Sequence, residues 1–185
     1  MLKNFPGKIE SERLIIRSPL QGDGKEVLQA LTETFKDLHA WFIWATEIPS
    51  LEEMEANIFQ ARAKFMACED LRMHLYRKDT GEFVGVSGLH RIDWDVPKFE
   101  IAYWCRKKFQ NQGYMTEAVK TITAFSFHTF KANRVEIRSD EKNTISRKIP
   151  EKLGFALEGK MINHSRDPHG QLRNLVVYAK TKSDS

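Results

Sequence analysis

The segment from Phe99 to Arg138 constrains this chain more than any other. Phe99-Glu100-Ile101-Ala102-Tyr103-Trp104-Cys105 reads as a strand. A basic run, Arg106-Lys107-Lys108, and the turn Gln110-Asn111-Gln112-Gly113 interrupt it. Met115, Ala118, Val119, Ile122 and Phe125 then recur at helical spacing, and Arg134 to Arg138 returns to strand. Strand, helix and strand in succession form a crossover, which makes two strands parallel neighbours in one sheet.

The rest of the chain must fit around that crossover. Arg13 to Arg17 predicts a first strand, stopped by Ser18-Pro19, and Val27, Leu28, Leu31 and Phe35 mark a helix from Asp23. A second helix is expected from Leu51 to Cys68, with Met54, Ile58, Ala61 and Phe65 inside. Leu71 to Arg77 and Phe83 to Leu89 are strands joined by the turn Asp79 to Glu82; Asp93, Asp95 and Pro97 make a loop. Asn143 opens a last helix that Gly154 closes, and Phe155 onward and Leu172 to Ala179 are β structure. Hairpins first and a crossover later give one α/β domain over residues 1–185 with a mixed sheet.

Composition narrows the class. A 41% hydrophobic and 29% charged chain is globular rather than disordered, and no apolar run suits a membrane span. The opening MLKNFPGKIESERL lacks a signal-like apolar stretch, so a cytoplasmic location is expected. Net charge is +4, with Lys and Arg interleaved among acids rather than massed on a nucleic-acid face. Cys68 and Cys105 have neither metal spacing nor a disulfide framework, so no metal is expected.

The turn before the crossover helix has its own chemistry. First-turn N–H groups lack partners inside a helix and sit at the positive end of its dipole. Gly113 leaves their approach open, and Gln110 and Gln112 offer neutral donors, so an anion fits here. A Walker A loop needs Gly-Lys-Ser/Thr where Gly113-Tyr114-Met115 stands, and a dinucleotide fingerprint needs three glycines. An ordinary helix start is the alternative reading.

Taken with Phe99–Trp104, Glu12–Arg17, Asn133–Ile137 and Asn143–Phe155, the loop Gln110-x-x-Gly113-x-Met115 resembles the GNAT acetyltransferase superfamily, in particular its RimJ/RimL-like ribosomal-protein N-terminal acetyltransferase branch. The resemblance implies the GNAT fold: a mostly antiparallel mixed sheet of about six or seven strands, central parallel strands splayed apart, about four flanking helices. It implies acetyl-CoA as cosubstrate, held by backbone at Ala102, Tyr103 and Trp104, by Gln110, Asn111, Gln112, Gly113, Tyr114, Met115 and Thr116 at the pyrophosphate, and by Asn143 and Arg147. Met115 replaces the small residue usual in the loop. Arg106 and Lys107 are candidate phosphate partners, or simply a solvated turn.

By the same resemblance, Ser146 in Asn143-x-x-Ser146 would protonate the departing thiolate, and Glu100 would take the amine proton. His74 and His90 are the rival bases. Ser165 stands where related ribosomal-protein enzymes carry a glutamate, which shifts weight to Glu100. Pro150 cannot donate to the Ser146 carbonyl and should loosen that helix. The acceptor would be a primary amine, either a ribosomal or other protein N-terminus or a small molecule, and similar proteins are commonly homodimers. Trp41, Phe42, Ile43 and Trp44 read first as core, otherwise as a pocket wall; Glu47, Glu52, Glu53 and Glu55 suit a cationic acceptor or a solvated face. The expected reaction is direct attack in a ternary complex. Its rivals are a non-catalytic coenzyme A-binding or interaction module on this fold and a nucleotide-binding loop.

Overall fold

The computed structural model describes residues 6–182. Part of the stretch read for a signal segment, residues 1–5, lies outside the described residues. Strands β1 (Lys8–Glu10) and β2 (Leu14–Arg17) are followed by helices α1 (Gly24–His39) and α2 (Leu51–Met66). Then come β3 (Leu71–Arg77), β4 (Phe83–Asp93), β5 (Lys98–Cys105), a 3-10 turn at Lys107–Phe109, α3 (Tyr114–Thr129), β6 (Arg134–Asp140), α4 (Thr144–Lys152), β7 (Ala156–Arg166) and β8 (Leu172–Thr181). One sheet runs β1-β2-β3-β4-β5-β6-β8-β7, antiparallel at every junction except β5 with β6. The eighth strand beyond the expected six or seven is β1, whose three residues are too few to display an alternation.

The two sheet faces carry different cores. Odd-numbered β3 and β5 residues (Leu71, Met73, Leu75, Phe99, Ile101) pack with Met115, Ala118, Val119 and Ile122 of α3. On the other face Val27, Leu31, Met54 and Ile58 of α1 and α2 pack with Tyr76 and Phe83. Each buried side chain of Ile or Leu size contributes on the order of 1.5–3 kcal/mol to its layer.

Local chemistry starts each helix differently. Ser50 Oγ accepts from Glu53 N at 3.2 Å while Glu53 Oε2 accepts from Ser50 N at 2.8 Å, a reciprocal cap for α2. Asp23 precedes α1 without capping it, because its carboxylate is bound to Arg17 and His74 instead. Gly113, at φ +81°, turns the chain into α3. Asn143 caps α4 by accepting from Ser146 N at 3.1 Å. At the far end, Phe155 N donates to Pro150 O and Gly154 N to Glu151 O, with Gly154 at φ +73°, so the helix stops where the glycine predicts.

Candidate active site

The parallel junction is short. β5 and β6 pair only at Lys98–Arg134, Phe99–Val135 and Glu100–Glu136, although β5 continues to Cys105 and β6 to Asp140. Beyond Glu100 the two strands diverge, each kept in the sheet by its outer neighbour, β4 or β8. The β6-facing backbone of β5 therefore has no partner strand along residues 101–105, which leaves a polar edge in the middle of a sheet.

At the mouth of this wedge stands the start of α3. Glu117 N to Gly113 O is the first backbone bond of that helix, so the N–H groups before it point outward unpaired. A Cβ at Gly113 would come within 3.4 Å of Arg13 Nη2, and the positive φ would strain any other residue. Arg13 is a cation at this loop that sequence reading missed. It bonds Glu117 through Nε at 2.6 Å, donates to Gln112 O at 3.1 Å, and lies 4.3 Å over the Tyr114 ring. No local pattern could reveal it, since Arg13 is a hundred residues away in sequence.

The expected charge partners are elsewhere. Arg106 is 5% exposed and grips Glu33 through two bonds of 2.7 and 2.5 Å; Lys107 pairs with Asp37 at 2.7 Å. Arg106 and Lys107 thus tie the strand end to α1, Arg106 buried and Lys107 at an exposed surface, while the exposed Lys108 pairs with Glu82. The amide nitrogen of Gln110 donates to Asp37 Oδ2 on α1 at 3.2 Å, and that of Gln112 to the nearby Lys108 O at 2.8 Å. Asn111 takes φ +61°, Tyr114 and Met115 are buried under the loop, and Thr116 is half-buried on the first turn of α3. Arg147 is turned onto β8, donating to Tyr178 Oη and Glu141 O, both at 2.9 Å.

Ser146 meets Tyr103 across the wedge. The Tyr103 hydroxyl donates to Ser146 O at 2.9 Å, and Ser146 Oγ donates to Tyr103 Oη at 3.3 Å. Pro150 explains the first bond. A residue with an N–H at 150 would close the helical bond onto Ser146 O; proline cannot, and tyrosine takes the vacant acceptor. The expected loosening is thereby compensated, and α4 stays helical through Lys152. Burial raises the Tyr103 phenol, which keeps its proton. Burial also pushes the Cys105 thiol up to about 12, so it is no thiolate nucleophile.

On the opposite face, Glu100, Ala102 and Trp104 project together, as a regular strand requires. Burial raises the Glu100 carboxyl above its ordinary value against the pull of Arg91 and Arg138, whose Nε atoms lie 3.5 and 3.3 Å from Oε2. That oxygen is buried and accepts no hydrogen bond among the described residues. His90 opposes Glu100 on β4, next to a bulge, and its Nδ1 lies 2.7 Å from Asp70. His74 is 1% exposed, with Nδ1 2.7 Å from Asp23, and burial lowers its pKa. Both histidines line a cavity of about 610 Å³ beside Ala102, Tyr103 and Trp104.

Phe42 and Trp44 form part of its opposite wall, and Ile43 is 59% exposed, so the aromatic cluster is pocket wall and loop rather than core. These residues sit in the connection between α1 and α2, where no helical periodicity governs their direction. Glu47 and Glu53 also line the cavity, whereas Glu55 caps residues 22 and 24. Ser165 is on β7, accepting from Arg173 Nε at 2.9 Å. Among the described residues no His, Cys, Asp or Glu cluster could hold a metal, and no helix is long and apolar enough to cross a membrane.

Comparison with known proteins agrees with this architecture. "Putative ribosomal N-acetyltransferase YdaF" of Bacillus subtilis (strain 168) is 27% identical over 178 residues, 94% of each chain. A solved structure described as "Probable acetyltransferase" superposes with a TM-score of 0.89 at 26% identity, covering 96% of this chain and 98% of that one. RimL, described as a ribosomal L7/L12 alpha-N-protein acetyltransferase in complex with coenzyme A, has the same fold, with a TM-score of 0.89 at 19% identity over 96% of this chain and 99% of that one. The model of the acetyltransferase (GNAT) domain matches residues 13–156, and on that match the chain belongs to the GNAT acetyltransferase family.

Proposed function

We propose that the chain works as a single-domain, acetyl-CoA-dependent N-acetyltransferase whose acceptor is a primary amine, a protein N-terminal α-amino group foremost. The observation that carries this is the three-pair contact between β5 and β6, which opens a wedge with unpaired backbone on one side and Ser146 on the other. Tyr103 and its neighbours Ala102 and Trp104 offer that backbone edge to the pantetheine amides. The N–H groups from Asn111 to Thr116, with Gly113 leaving them open and the Arg13 guanidinium, paired with Glu117, at their edge, suit the pyrophosphate. Asn143 commits its oxygen to the helix cap, so its amide nitrogen is the part that would donate to the coenzyme arm. The coenzyme supplies the activated acetyl group.

The protein's own part is proton management. A protonated amine is no nucleophile, and α-amino groups titrate near pH 8, so a base matters at pH 7. Glu100, raised by burial and lacking a hydrogen bond on Oε2, accepts that proton directly or through a water. Ser146, at the positive end of α4 and coupled to Tyr103, returns a proton to the leaving sulfur. With Cys105 held as a thiol, the amine attacks directly. The ribosomal names of YdaF and RimL favour a protein N-terminus as acceptor.

The test is free-thiol release from acetyl-CoA across an amine panel, beginning with peptides bearing N-terminal Ser or Ala. Acetyl-CoA at a hundred times its Kd should stabilise the chain by about 2.7 kcal/mol. Gly113→Val should abolish most of that stabilisation while the chain still folds. Coenzyme stabilisation without turnover on any amine would point to a binding module. Stabilisation by ATP but not acetyl-CoA would overturn the reading.

A further inference from the structure

We infer that the acceptor carries an oxyanion close to its amine, and that Arg72 binds it. The inference rests on the acetyltransferase reading and specifies its acceptor. Arg72 lies on β3 and lines the cavity that also touches Ala102, Tyr103 and Trp104 of the wedge. Its guanidinium has one protein partner, Asn57 Oδ1 at 2.6 Å, and no ion pair among the described residues. Arg17, on the adjacent strand, is by contrast neutralised by two bonds to Asp23 of 2.8 and 2.7 Å. Asp70, the nearest acid in the chain, is committed to the Arg72 backbone N–H at 3.2 Å and to His90.

Register directs Arg72 toward the reaction centre. Arg72 opposes Gly88, and Gly88 opposes Ala102, so the three share one face in one row across β3, β4 and β5. Roughly 10 Å, two strand spacings, separates the ends of that row. Nothing bulky rises between them, because the intervening residue is glycine and the last is alanine. Gly88 is held small: a Cβ there would stand 2.3 Å from Leu71 O. The floor between Arg72 and the wedge is therefore a bare strip, flanked by His74 and His90, whose Nδ1 atoms are both taken by carboxylates.

A half-buried guanidinium facing a cavity with a neutral partner is under-satisfied: five donors in a planar fork, one of them used. Burial lowers its pKa, and the attraction of Asp70, which makes no ion pair with the guanidinium, only partly offsets this. A carboxylate or phosphate on the acceptor would meet the fork bidentately and remove that cost. Glu47, in the connection between α1 and α2, and Glu53, on α2, also line the cavity, so it offers acidic as well as basic side chains. That suits a molecule bearing both an amine and an oxyanion, whether an acidic amino terminus, an amino acid or a phosphorylated amine.

Matched acceptors at saturating acetyl-CoA test this: serine against serinamide, Ser-Glu-amide against Ser-Gln-amide, and O-phosphoethanolamine against ethanolamine. The wild-type chain should favour the anionic member of at least one pair by about tenfold or more in KM, the size of a charge-assisted pair, and which pair responds tells carboxylate from phosphate. Arg72→Gln should bring that pair to near equality with little change in kcat, and Arg72→Lys should keep part of the preference. Equal or neutral-preferring pairs in the wild type overturn the inference, as does a variant that weakens both members alike. If no acceptor turns over, thermal stabilisation of the coenzyme A-loaded chain by glutamate or O-phosphoserine over glutamine decides it: Arg72-dependent stabilisation supports it, none refutes it. Stabilisation by acetyl-CoA alone is read on the same samples. Its loss in the wild type defeats the acetyltransferase reading, whereas its retention without anion preference defeats only the role of Arg72.

Discussion

Glu100 and Ser146, the two residues proposed to move protons, lie on opposite sides of β5 in different environments. Burial raises the Glu100 carboxyl above its ordinary value, and the charges of Arg91 and Arg138 oppose that rise. Replacing it by Gln should slow acetylation most at low pH, where the amine is mostly protonated, and least above the amine's own pKa. A pH profile of kcat/KM shifted uniformly downward would mean positioning instead. Ser146 and Tyr103 act as one unit, since each hydroxyl bonds the other residue. Ser146→Ala should lower kcat by about 10²-fold, the scale of lost acid–base help, with acetyl-CoA affinity nearly intact. Tyr103→Phe should give a smaller loss in the same parameter, because the serine remains but loses its orienting partner. Single-turnover kinetics with a coenzyme titration separates these effects.

At the level of elements, α4 is the informative piece. A proline in its interior removes one helical bond, and the carbonyl it frees is the one that Tyr103 uses. Pro150→Ala would restore an N–H that competes for Ser146 O and relaxes a ring clash worth up to ~3 kcal/mol in an ordinary helix. The melting temperature should hold or rise while kcat falls several-fold. A parallel loss of both would assign Pro150 to packing alone. The basic run after β5 teaches the converse. Its composition suggested exposed charge, yet Arg106 is the buried end of an ion pair that ties the wedge to α1. That helix therefore braces the strand whose free edge matters.

Across the whole molecule, the Arg17–Asp23–His74 cluster joins β2, β3 and the start of α1 in one buried charge network. Asp23 is held below the ordinary carboxylate range by bonds from His74 and Arg17 that outweigh its burial, and His74 is lowered by burial. In both cases the unfolded chain binds the proton first, so the stability present at neutral pH drains away on acidification. For His74 the loss begins below the unfolded value near 6.5 and continues through its lowered folded pKa. Urea unfolding midpoints should fall from pH 7 toward pH 5, and His74→Gln should flatten that slope while lowering the midpoint at pH 7. Element order, the crossover, the starts of α3 and α4 at Gly113 and Asn143, and the family itself were all readable from the chain, because each depends on periodicity or on one residue's backbone preference. Strand β1 was not, being shorter than any period. Tertiary structure alone decided which acid met which base, as with Arg106 and Glu33 or Arg13 and Glu117. It also decided that β5 and β6 part after three pairs and that Arg72 has no ion-pair partner among the described residues. Those outcomes depend on side chains brought together from distant parts of the chain, where no local pattern reaches.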